Sequence, residues 1–262
     1  MKILHFDYHY KVQFDTEITK HYFQLRCIPR NGTHQRVLNT DFELIPSIPV
    51  TCIHDGFGNP TYCGNYLPSH DTFEFHIQGD VMTSNAPLNQ SHYVYPIYKY
   101  FTPLTTPNQE IKIFAKNNQL ETDEETAWNL MHKIYEYMTY SPGSTNNNTT
   151  AIEAFHQRKG VCQDYSHILL SALRYLHIPA RYVAGIMIGE GATHAWVDAY
   201  VGDHFIHLDP TNNCEADENY IKLSHGRDFK DCILDKGLFE FSGECHQTMN
   251  IYVKVKEEDP HQ

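Results

Sequence analysis

Cys162 stands directly after Gly160-Val161 and opens a segment whose apolar residues recur at helical spacing. A helix N-terminus presents unpaired N–H groups and the positive end of the macrodipole, so a thiolate placed there is stabilised. The same N–H groups can hold the oxyanion of an attacked carbonyl. A nucleophilic cysteine also needs a base kept in one tautomer. His194 begins an alternating stretch and shares one face with Trp196, Asp198 and Tyr200, while Ala195, Val197, Ala199 and Val201 take the other. Asp209 ends the next such stretch, in phase with Phe205 and His207. If these are antiparallel neighbours, His194 and Asp209 can pair across them, with the carboxylate orienting the base. Three plainer readings stand beside this one. A cysteine ahead of an apolar stripe is often a small core residue, one histidine among 18 is commonly structural, and Asp209-Pro210-Thr211-Asn212 also reads as a turn. Zinc held by Cys162, His194 and Asp209 is a further alternative, with its fourth position open.

The elements that must position these residues follow from periodicity. Phe6, Tyr8, Tyr10, Val12 and Phe14 alternate with polar residues, as do Phe23, Leu25 and Cys27, and Phe73, Phe75 and Ile77. This period of two predicts half-buried strands, and their spacing predicts a β-sandwich. Asp55-Gly56-Phe57-Gly58-Asn59-Pro60 reads as a turn joining two of them. From Thr83 to Gln109 four prolines and no sustained period predict an irregular connector. Thr122 with Glu125, then Ala127, Leu130, Met131, Ile134 and Met138, predicts a capped amphipathic helix. After a polar loop over 141–149, Thr150 with Glu153 caps a second helix, expected to stop at Gly160. A third runs from Cys162 to about His177, ahead of Pro179. Strands are expected at Arg181–Ile188, His194–Val201 and His204–Asp209, and a last one along Met249, Ile251, Val253 and Val255. The division expected is a β-rich domain at 1–105 and a catalytic domain at 106–262.

Composition narrows the class. The 262 residues are 41% hydrophobic, enough for a sizeable core, and 32 acidic against 20 basic residues give a net charge of −12. That balance argues against nucleic acid or anionic lipid as partner, both of which need cationic footprints. No apolar run approaches a membrane span, and the first residues do not read as a signal peptide. Seven cysteines, odd in number and without a Cys-x-x-Cys pair, argue for a reducing, cytoplasmic setting and against a disulfide framework or zinc ribbon.

Four blocks give the cysteine reading further weight. They are Gly160-Val161-Cys162-Gln163-Asp164-Tyr165-Ser166-His167, Ile178-Pro179-Ala180-Arg181-Tyr182-Val183-Ala184-Gly185, Thr193-His194-Ala195-Trp196-Val197-Asp198-Ala199-Tyr200, and Leu208-Asp209-Pro210-Thr211-Asn212. Together they closely resemble the bacterial transglutaminase-like superfamily, often described as candidate cysteine proteases. Gly226-Arg227-Asp228-Phe229 with Asp231 and Lys236-Gly237 resembles its downstream segment, and the N-terminal strands with Asp55-Gly56-Phe57-Gly58-Asn59 resemble the β-rich domain that often precedes the core. The resemblance implies Cys162 as nucleophile, His194 as general base and acid, and Asp209 as orienter. It implies an α+β fold, with a papain-like core of helices on an antiparallel sheet behind the β-sandwich-like domain. The activity implied is acyl transfer on the amide or peptide bonds of a peptide or protein, without cofactor or metal. No Asp-x-Asp-x-Asp-Gly loop supports calcium activation. Ile178 departs from the family's usual glycine without expected catalytic consequence. The alternative function is a transglutaminase-like module that binds without catalysis. Around the triad, Tyr140 is a candidate second oxyanion donor, Trp196 a shield for the ion pair, Asn212 a substrate contact, Gln163 a cleft or solvent residue, and Asp164 a first-turn structural residue. Oligomeric state is left open.

Overall fold

The alternating N-terminal residues form β1 (Lys2–Leu25), a strand of 24 residues that serves two sheet layers. This computed structural model describes residues 1–88 and 96–258. Strands β2 (Gln35–Ile45), β3 (Thr51–His54), β4 (Pro60–Tyr66) and β5 (His70–Thr83) follow. Of the expected connector, residues 89–95 lie outside the described residues; beyond them come α1 (Gln109–Asn117) and α2 (Asp123–Tyr137). Then come β6 (Thr139–Tyr140), α3 (Ala151–Gln157), β7 (Lys159–Gly160) and α4 (Cys162–Tyr175). The second half is mostly sheet: β8 (Ala180–Met187), β9 (Gly189–Gly191), β10 (His194–Val201), β11 (His204–Asp209), β12 (Cys214–Glu215) and β13 (Tyr220–Gly226). The last strands are β14 (Asp235–Glu240) and β15 (Gln247–Glu257).

The first part of β1 pairs with β5 and β15, while Thr19–Leu25 pairs with β14 and His21–Leu25 with β4. The register shifts between Gln13 and Ile18, and again between Thr19 and Tyr22, so one strand turns from one layer into the other. Phe6, Tyr8, Tyr10, Val12 and Phe14 all point inward, as the period of two requires. The division expected at residue 105 leaves β14 and β15 with the second unit, yet both hydrogen-bond to β1.

The second sheet is antiparallel, in the order β12-β11-β10-β8-β13. Helices α1 to α4 bury Ile111, Leu130, Ile134, Leu169 and Leu173 with Val197 and Leu208 in one core. Ile186, Ile221 and Leu223, from β8 and β13, instead join the core of the N-terminal strands. The second sheet is thus packed on both faces. Both capping boxes form as the sequence requires, at Thr122/Glu125 and Thr150/Glu153. Helix α3 ends before the expected Gly160, because Arg158 takes a left-handed φ of 55° and stops it at Gln157. The Asp55–Asn59 turn does more than join strands. Asp55 Oδ1 accepts from the Phe57 and Asn59 amides, and Asn59 bonds both the N–H and the C=O of His225 in β13.

Candidate active site

Cys162 is the first residue of α4, half-buried at the point where the chain leaves β7. Asp164 holds that corner. Its Oδ2 accepts from the Val161 amide at 2.7 Å and from the Thr145 hydroxyl at 2.7 Å, which ties the polar loop to the helix start. Burial pushes the Asp164 carboxyl above its ordinary value, against those hydrogen bonds. Gly160 is required here, since a Cβ would lie 2.5 Å from Asp164 Oδ2. The structural role expected for Asp164 is therefore observed. Gln163 is buried, not solvent-facing; its amide points to the Asn147 carbonyl at 3.5 Å.

His194 and Asp209 come together as the strand pattern requires. β10 and β11 are antiparallel with Val197 opposite Leu208, so the register would set Asp209 opposite Trp196, diagonal to His194 on the same face. The diagonal is closed by His194 Nε2 to Asp209 Oδ2 at 2.7 Å. Asp209 Oδ2 also accepts from Tyr220 Oη and Asn212 Nδ2, each at 2.8 Å, and Oδ1 from the amides of Thr211 and Asn212. Burial opposes ionisation of this carboxyl, but the His194, Tyr220 and Asn212 hydrogen bonds outweigh it and hold Asp209 below its ordinary value. An ionised Asp209 only accepts, so His194 Nε2 carries the proton and Nδ1 is left for the thiol. Cys162 lies close enough to the same ring to favour its charged form. Burial disfavours a charged imidazole, yet Asp209 and Cys162 together raise His194 from 6.5 to about 10.

Aromatic rings wall this pair. Trp196, buried, lies over His194 with centroids 6.4 Å apart and meets Tyr220 edge-on at 5.3 Å. Gly185 of β8 lies opposite His194 of β10 and leaves the room Trp196 occupies; a Cβ there would come within 2.5 Å of the indole. Tyr220 was not anticipated. It is one of 18 tyrosines, eleven positions past Asp209, and no spacing distinguishes it from a core residue. A cleft of about 720 Å³ opens on His194, lined by Tyr140, Tyr165, Met187, Thr211 and Asn212 among others. Tyr140 is 55% exposed in it, and burial, then the neighbouring Cys162, raises its phenol above the ordinary value. Asn212 lines the same cleft while bonding Asp209, so it reaches both the carboxylate and the space before it.

Residues 114–210 match the transglutaminase-like superfamily, and residues 4–82 match the bacterial transglutaminase-like N-terminal region. A crystal structure of a candidate cysteine protease from Cytophaga hutchinsonii is similar in fold, with a TM-score of 0.80 over 100% of this chain and 93% of that one, at 20% identity. An uncharacterized protein of Mycobacterium leprae is 27% identical over 268 residues, covering 92% of this chain and 94% of its own. An uncharacterized protein of Mycobacterium tuberculosis is 33% identical over 147 residues, where the match spans 50% of this chain and 46% of the relative. The two matched regions, in this order and on this fold, place the chain in the transglutaminase-like superfamily, with the bacterial N-terminal region ahead of its core.

Proposed function

We propose that this protein is a cysteine-dependent acyl-transfer enzyme acting on amide or peptide bonds of a peptide or protein. The observation that carries the reading is one imidazole, His194, hydrogen-bonded to Asp209 at 2.7 Å and near enough to Cys162 for the sulfur to favour its charged form. The Cys162 sulfur attacks the carbonyl carbon and the C=O pair moves onto oxygen, where the amide end of α4 offers N–H donors. Collapse expels the amine, which takes the proton from the His194 imidazolium, and leaves a thioester on Cys162. A water, deprotonated by His194, then releases the acid and the thiol; an amine in its place would give transamidation. Hydrolysis is favoured, because the cleft beside His194 is open to water. Tyr140, exposed beside Cys162, suits the second oxyanion donor. A reducing, cytoplasmic setting suits seven unbridged cysteines.

Two paired measurements test this. Cys162→Ala should abolish turnover of peptide amides while circular dichroism stays unchanged; turnover that survives overturns the reading. Iodoacetamide should label Cys162 quickly at about pH 7, and slow by about tenfold or more in His194→Ala. Equal rates would leave an unactivated thiol and favour the non-catalytic module.

A further inference from the structure

The outer face of the N-terminal sheet carries a second convergence of reactive side chains, far in sequence from the cysteine site. His9 in β1 lies directly opposite His76 in β5, and Asp7 sits two residues before His9 on the same face. The two imidazoles stack with centroids 3.9 Å apart. Both aim Nε2 at one atom: Asp7 Oδ1 is 2.9 Å from His9 Nε2 and 3.0 Å from His76 Nε2. All three ligand atoms lie within 4.8 Å of one another. Here register, stacking and a shared acceptor hold the two rings together.

We infer that Asp7, His9 and His76 form a binding site for a divalent transition-metal ion of the zinc class. Two imidazole nitrogens with one carboxylate oxygen match the ligand set that zinc takes with a fourth position left to water. Bonds of about 2.0–2.1 Å in a tetrahedron set ligand atoms about 3.3 Å apart, so the 2.9 and 3.0 Å contacts need a small opening and the two rings, stacked within 12°, must turn so that their in-plane lone pairs meet at one ion. The nitrogen donors exclude calcium and magnesium as preferred occupants, since those ions take oxygen. On binding, each ring passes its Nε2 proton to Nδ1 if neutral, or releases it if cationic, and the Nε2 lone pair goes to the metal. Lys254, opposite Asp7 on β15, takes Glu190 as its ion-pair partner at 2.5 Å, while the Asp7 carboxylate pairs with the two histidines. The side chains are 33%, 45% and 24% exposed for Asp7, His9 and His76, so an ion can enter from solvent. An ion here would staple β1 to β5 across their register.

Zinc bound per chain, measured by equilibrium dialysis on the full-length reduced protein, tests the site. His9→Ala and His76→Ala should each bind one ion fewer than the parent, and the zinc-induced rise in melting temperature should shrink in both. His5→Ala, on the same face and paired with Asp80, should bind as the parent does. Unchanged stoichiometry in the His9 and His76 variants, or an equal loss in His5→Ala, overturns the assignment. A second readout needs no variant. Substoichiometric Co²⁺ should broaden the ring resonances of His9 and His76 before those of other histidines; even broadening across the surface histidines would mean scattered adventitious binding and end the proposal.

Discussion

At the residue scale, the ring of His194 concentrates what is distinctive about this site. Its charge is opposed by burial and held by Asp209 and Cys162, which raise it from 6.5 to about 10. A raised histidine stabilises the fold fully below the unfolded value of 6.5, and that contribution fades as pH climbs toward about 10, where the folded ring also gives up its proton. Urea midpoints should therefore fall between pH 6.5 and about 10 in the parent more steeply than in His194→Gln. Parallel pH slopes would mean the ring is not held charged. Cys162, His194 and Asp209 were legible because each begins or ends an element whose period shows in the sequence. Tyr220 was not, because it reaches Asp209 from a separate strand, β13, which leaves no spacing signal, whereas the Thr211 and Asn212 amides belong to the turn that Asp209-Pro210-Thr211-Asn212 announces. The same holds for His9 and His76, which meet only through the β1–β5 register.

At the element scale, the Asp55–Asn59 segment shows how a turn signal can be right and still incomplete. Its composition announces a reversal, and Asp55 folds it by accepting from two amides. Nothing in that composition announces that Asn59 would clasp His225 in the second sheet, with Asn59 itself fully buried. Replacing Asn59 by Ala strands the buried His225 N–H and C=O, and should cost about 2–4 kcal/mol in urea unfolding, with little change in the labelling of Cys162. A loss below about 0.5 kcal/mol would mean that water replaces the amide without penalty. Helices with capping boxes were readable to within a residue or two at their starts. Strand β14 was not, since Asp235–Glu240 has no alternation and is a strand only because β1 offers it an edge. Helix α1 was hidden by the prolines before it, although Asn108 caps it.

At the scale of the whole molecule, the two parts are stitched by more than a linker. β14 and β15 return to β1 after the second sheet is complete, and Val253 and Val255 are buried in the first core. A chain ended after Leu234 should therefore lose its cooperative melt and collect in the insoluble fraction, even though it retains Cys162, His194 and Asp209. A soluble, cooperatively melting 1–234 fragment would show that the N-terminal strands close without those partners. The sequence pattern located the last strand but could not say which sheet would receive it, because alternation records a buried face and not the neighbour that buries it. β9 adds a further link: it pairs with β15 through Val253–Val255 and ends three residues before His194. Proteins are synthesised from the N-terminus, so β1 can pair with β5 early, while its other edge stays open until β15 has left the ribosome. During that interval the nascent chain already carries the thiol and its imidazole, yet lacks the strand that pins the approach to His194. The last strand to emerge is thus the one that ties the N-terminal sheet to the segment leading into His194.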